Sequence, residues 1–106
     1  MLTFNLKKEW FEKIKSGEKT HEYRIHSPYW TKRIDNEIKL LYKKYGLHAE
    51  DKFIITFKLG YPKNSEKDKI LKAVVKSIRA ENNGLNTDLK IDKPVYDIEF
   101  ELIKDN

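Results

Sequence analysis

Apolar residues recur along this chain with two periods, and the switches between them outline its elements. Leu2, Phe4 and Leu6 alternate with Thr3 and Asn5, the period of a half-buried strand. From Lys7 to Ser16 the residues Trp10, Phe11 and Ile14 fall on one helical face, and Gly17 stands where a residue that ends a helix belongs. Lys19 to Ile25 returns to alternation, with His21, Tyr23 and Ile25 on one side and Thr20, Glu22 and Arg24 on the other. One of those faces is expected to meet the core and the other to form a polar surface or cavity. Ser27-Pro28 reads as an N-cap followed by proline at the first helical position. Trp30, Ile34, Ile38, Leu41 and Tyr45 follow at spacings of 4, 4, 3 and 4, an amphipathic helix ending at Gly46. Lys32, Lys39, Lys43 and Lys44 fall mostly on its outer side.

The second half is β-rich. Phe53 to Leu59 is a strand run stopped by Gly60-Tyr61-Pro62, and residues 63–69 read as a mobile polar loop. Ile70–Ala80 and Val95–Ile103 are two long strands, separated by a turn at Asn82-Asn83-Gly84 and a loop over residues 85–94. In the last strand Val95, Asp97, Glu99 and Glu101 alternate with Tyr96, Ile98, Phe100 and Leu102. The order strand, helix, strand, helix, then three strands predicts an α+β domain. Its small mixed or antiparallel sheet is expected to roll into a barrel with two flanking helices. With 106 residues and no repeat or linker, the chain reads as one domain over 1–106.

Composition narrows the chemistry. There is no cysteine, which excludes disulfide scaffolds, thiolate zinc sites and thiol catalysis. No apolar run approaches the roughly 18 residues of a membrane span, and the first residues lack a basic segment followed by an apolar one. The expectation is a soluble, cytoplasmic protein with no membrane partner. The net charge of +5 favours polyanions and equally serves solubility. Its distribution says more: residues 1–80 carry 19 basic and 10 acidic side chains, whereas residues 81–106 carry 3 and 7. The basic part is expected to face a ligand and the acidic tail to face away, unless that tail simply pairs with basic neighbours in the sheet.

Several motifs fall away. His21-Glu22 with His26 lacks metalloprotease spacing, and on a strand positions 21 and 26 face opposite sides, so no metal site is expected. The four isolated glycines fit no phosphate-binding loop, no cofactor is implied, and Ser16, Ser27, Ser65 and Ser77 have no nucleophile elbow around them.

The dense segment is Gly17-Glu18-Lys19-Thr20-His21-Glu22-Tyr23-Arg24. Glycine lets the chain turn from helix into strand, and Lys19 emerges beside the helix C-terminus, where the dipole favours a cation. Glu22 and Arg24 share a strand face and can pair. Such a group can hold a phosphate or a base edge by charge-assisted hydrogen bonds, or tune Lys19 for proton transfer. It can equally be an exposed strand with ordinary ion pairs.

The pattern Gly17-x-Lys19-x-x-Glu22-x-Arg24, after a helix with aromatic anchors and before a Pro-Tyr-Trp helix start, resembles the ASCH domain of the PUA-like superfamily. The resemblance is strongest over residues 2–34; Phe57-Lys58-Leu59-Gly60-Tyr61 and Pro94-Val95-Tyr96 resemble strands further along. It implies a barrel of about five or six strands with helices around it, and a cleft beside the signature strand that takes RNA or a modified nucleoside or nucleotide. One bacterial branch hydrolyses the amide of acetylated cytidine with a lysine, a threonine and a glutamate, and another is described as ribonuclease-like. In this chain the lysine falls on Lys19 but the threonine falls on Glu22, a departure from the amidohydrolase pattern.

Around the signature, Tyr29 and Arg33 stand at i and i+4 on the second helix with Trp30 in the same turn, positions suited to stacking bases and meeting phosphates. Trp30 also continues the apolar stripe, and Lys58 and Tyr61 are expected to close the opposite wall. The first expectation is a binder of RNA or a modified nucleotide through Lys19, Glu22, Arg24, Tyr29, Trp30, Arg33, Lys58 and Tyr61. The second is a hydrolase of a modified nucleoside or of RNA, with Lys19 and Glu22 as acid–base pair beside Arg24. The third is a protein-binding adaptor using the Tyr-rich second helix.

Overall fold

Residues 2–104 are described by the computed structural model, starting with strand β1 (Leu2–Leu6). Helix α1 (Lys8–Lys15) follows, and its buried Phe11 and Ile14 are residues of the expected face. It ends at Gly17, whose φ of +86° takes the left-handed turn that an L side chain resists. Gly17 N–H then donates to the Ile14 carbonyl at 3.1 Å and Lys19 N–H to the Lys13 carbonyl at 3.0 Å, turning the chain into β2 (His21–Ile25). Helix α2 (Pro28–Tyr45) starts as the sequence dictates: the Ser27 hydroxyl accepts from Trp30 N–H at 3.3 Å, and Pro28 occupies the first turn. A 3₁₀ helix over Gly46–Lys52, which the apolar pattern did not reveal, leads to β3 (Ile54–Leu59), β4 (Ile70–Glu81) and β5 (Val95–Leu102).

The sheet order is β1-β3-β4-β5-β2, with β1 parallel to β3 and every other pair antiparallel. The first and second strands of the chain are therefore the two edges. The five strands form a mixed sheet that curls into a half-barrel with two helices, a small barrel-like α+β fold. Edges β1 and β2 do not pair, and side chains bridge the seam instead: the Arg24 guanidinium lies over Phe4 of β1 at 5.0 Å and over Trp30 of α2 at 5.1 Å.

Inside the curl, Phe57 packs on Phe4 at 5.8 Å and on Phe100 at 4.8 Å, with Ile55, Ile98 and the α2 residue Ile34 around them. Fully burying a phenylalanine stabilises by about 2–3 kcal/mol, so these rings are a large part of what holds the sheet curved. An irregularity in β4 between Val75 and Ser77 shifts the register by one residue. Val75 and Ile78 thus both meet the inside, opposite Phe100 and Ile98, while Ser77 and Arg79 fall outside opposite Glu99 and Asp97.

Two loops differ from expectation. Residues 63–69 are pinned by Glu66, which accepts from Lys63 N–H at 3.0 Å and from Lys69 Nζ at 2.5 Å around a 3₁₀ turn at Lys67–Lys69. Residues 82–94 form a strap closed by a Gly84–Ile91 bridge. Gly84 is required there by space: a Cβ would meet Val95 Cγ1 at 2.8 Å and Thr87 Oγ1 at 3.1 Å. No helix among the described residues is long and apolar enough to cross a membrane.

Candidate functional site

The seam is a cleft of about 440 Å³. Its β1 side carries Asn5, Leu6 and Lys7 with Trp10 of α1; its β2 side carries Tyr23, Arg24 and Ile25; Ser27 and Trp30 come from the start of α2, and Leu89 from the strap. The volume lies inside the roughly 300–1,000 Å³ range of small-molecule sites.

Beneath this lining the signature residues form one chain of charges. Glu22 is buried, at 5% exposure. Its Oε2 accepts from Arg24 Nη2 at 3.0 Å, and its Oε1 accepts from Tyr23 N–H at 3.2 Å and lies 3.5 Å from Lys19 Nζ. Lys19 Nζ donates to Asp88 of the strap and sits 5.3 Å from the Trp10 ring and 5.2 Å from the Tyr23 ring. With only 8% of its side chain exposed, Lys19 is a charge held between two carboxylates and two aromatic faces. Burial, and after it the Asp97 and Asp88 carboxylates, raise the Tyr23 phenol above its ordinary value.

Arg24 is the signature residue that reaches the cleft. One amino group is tied to Glu22, its central carbon lies 5.0 Å from the Phe4 ring and 5.1 Å from the Trp30 ring, and its enclosed Nε–H has no hydrogen-bond acceptor in the protein. A guanidinium fixed by stacking and one ion pair is pre-organised to meet an anion with its remaining donors.

The sequence-predicted residues separate into three groups. Lys19, Glu22, Arg24 and Trp30 come together at the seam. Trp30 unites its two readings, stacking on Phe4 at 5.2 Å as core while lining the cleft. Tyr29 and Arg33 lie outside the lining, next to it on α2, with Arg33 4.3 Å over the Tyr29 ring. Lys58 and Tyr61 do not close the other wall. Lys58 alternates with the buried Phe57 onto the opposite face of β3, and Tyr61 is 92% exposed in the turn beyond it.

The expectation that the acidic segment faces away is also corrected. Asp88 caps Lys19, and β5, paired on both sides, sets Asp97 against His21 and Arg79 and Glu101 against Lys76. Asp105 lies outside the described residues. Sequence reasoning missed four participants, one of them Tyr23, which lines the cleft beside Arg24 although alternation sets the two on opposite faces of β2. Trp10 and Lys7 sit where the apolar stripe of α1 meets its N-terminus, a boundary that periodicity blurs. Asp88 is 69 residues from Lys19 and carries no local signal.

Compared with known proteins, the chain matches no family model and no curated protein.

Proposed function

We propose that the seam cleft binds a nucleotide unit, with the base against its aromatic walls and the phosphate at its cationic end. In this reading the chain is an ASCH-type domain whose partner is RNA or a modified nucleoside or nucleotide. One observation carries it: the cleft lining holds Lys7, Arg24 and the rings of Trp10, Tyr23 and Trp30, and no carboxylate among the described residues. Lys7 and Ser27 are moreover the N-caps of α1 and α2, so two helix N-termini, each worth about half a positive charge, open on the same space as Arg24. The gathering of Lys19, Glu22 and Arg24 beyond a glycine-ended helix supports the ASCH resemblance.

Lys19 and Glu22 serve this reading as positioning residues. Glu22 holds Arg24, and Lys19 offsets the Glu22 charge, so the buried carboxylate is not left unpaired. A hydrolase using Lys19 as base would first have to release it from Asp88, which ranks that reading second. The test is direct, because both tryptophans of the chain line the cleft. Titration with nucleoside 5′-monophosphates at low salt is expected to quench tryptophan fluorescence, and rising salt to weaken the binding. No quenching at millimolar nucleotide, with no binding by calorimetry, overturns the proposal.

A further inference from the structure

The start of α2 offers a second platform immediately outside the cleft. Tyr29 is off the helix's apolar stripe and 57% exposed, yet its ring has two partners. It meets the Trp30 ring edge-on, with centroids 5.1 Å apart and an interplanar angle of 89°, and carries the Arg33 guanidinium at 4.3 Å. Lys32, also exposed, stands on the same helical face, since 29, 32 and 33 are i, i+3 and i+4. The helix carries no acidic residue in its first turn, and the first one along it is Asp35. An aromatic ring with a stacked arginine and a second cation beside it has the parts of a nucleotide subsite: π faces for a base and donors for the phosphate that follows. Core packing explains Trp30 and Ile34, but it does not explain an exposed tyrosine capped by an arginine next to a cationic cleft.

We infer that the ligand is a single-stranded polynucleotide, with one unit in the seam cleft and the adjoining base on the Tyr29–Arg33 pair. This rests on the nucleotide reading of the cleft and deepens it by assigning a second subsite, on α2, to the same ligand. The perpendicular rings add a constraint. Bases seated on Trp30 and on Tyr29 cannot stack on one another, so the strand turns sharply between them and a continuous duplex is excluded.

The test compares adenosine and uridine 5′-monophosphates with the matching dinucleotides, hexanucleotides and a blunt duplex, on the full chain. A second stacked base is expected to tighten binding by about 5- to 100-fold between monophosphate and hexamer. Tyr29→Ala is expected to bring that ratio close to one, and Tyr29→Phe to keep it. Arg33→Ala is expected to lower the slope of log affinity against log salt by about 0.7, the contribution of one phosphate of a single strand. Monophosphate binding with no gain for the oligomers overturns the second subsite while leaving the cleft reading in place. A gain that survives both Tyr29→Ala and Arg33→Ala, or a duplex bound as tightly as the hexamer, also overturns it. Binding of neither ligand overturns both readings at once. Circular dichroism melts of each variant separate loss of the subsite from loss of the fold.

Discussion

On one face of β2, Glu22 holds Arg24 at 3.0 Å and Lys19 at 3.5 Å; on the other, His21 Nδ1 meets Asp97 Oδ1 at 2.7 Å while Arg79 reaches Asp97 Oδ2 at 3.5 Å. Both clusters surround a buried carboxylate, and they differ in where the partners come from. The Asp97 cluster is a product of sheet register: Tyr23 and Arg79 stand directly opposite Asp97, and His21 and Ser77 opposite Glu99. Each charge there meets a cross-strand neighbour, which is the ordinary unit of sheet stabilisation. The Glu22 cluster draws on its own strand and on a distant strap, lies among aromatic rings, and ends in a guanidinium whose enclosed Nε–H has no acceptor in the protein. A network closed by register builds the sheet, whereas the Glu22 network ends at a cleft.

That contrast can be broken by substitution. The largest effect is expected from Glu22→Ala, which leaves Lys19 and Arg24 beside a void with too few anions. It should destabilise by about 3 kcal/mol in urea unfolding and abolish nucleotide quenching with it. Arg24→Ala should destabilise less than Glu22→Ala, because Lys19 still offsets the Glu22 charge, and should lower nucleotide affinity by about 10- to 100-fold, the worth of one charge-assisted contact, with Arg24→Lys in between. If Arg24→Ala binds normally, the open cluster is not a site. Asp97→Asn should do the reverse, costing about 1–2 kcal/mol of stability through its bonds to His21 and Arg79 while nucleotide affinity holds. A matching loss of affinity would merge the two clusters into one functional unit.

The smallest effect lies between the clusters, at Tyr23. Its phenol ionises later in the folded chain than in the unfolded one, because burial and then Asp97 and Asp88 oppose the phenolate. The stability it lends is complete below the ordinary tyrosine value near 10, and is lost as pH rises from there through the raised value. Phenolate absorbance should show one late-titrating tyrosine that Tyr23→Phe removes, and that variant should flatten the alkaline fall in stability.

Much of the fold was legible because the signals behind it are local. Alternation at Leu2, Phe4 and Leu6, the Ser27-Pro28 start and the Trp30–Tyr45 stripe each depend on a few adjacent residues, and each element formed where its pattern stood. Periodicity also placed Glu22 and Arg24 on one face, so the heart of the candidate site was readable. Lys58 and Tyr61 were not correctly placed, because the strand order of the whole sheet sets β3 behind edge strand β1, and β3 lends the cleft no lining residue.

The sequence by itself determined the elements, their caps and the pairing of Glu22 with Arg24, since backbone geometry fixes what neighbours at i+2 or i+4 can touch. Tertiary structure alone decided the rest. Packing around Phe4, Phe57 and Phe100 curved the sheet without closing it, and the unpaired edges β1 and β2 became a cleft. The strap carried Asp88 across 69 residues to Lys19, and β5 took a central place that turned a nominally acidic tail into partners for His21, Lys76 and Arg79. Such contacts answer to the shape of the whole core and to the cost of burying charge unpaired, and neither is written in any short stretch of chain.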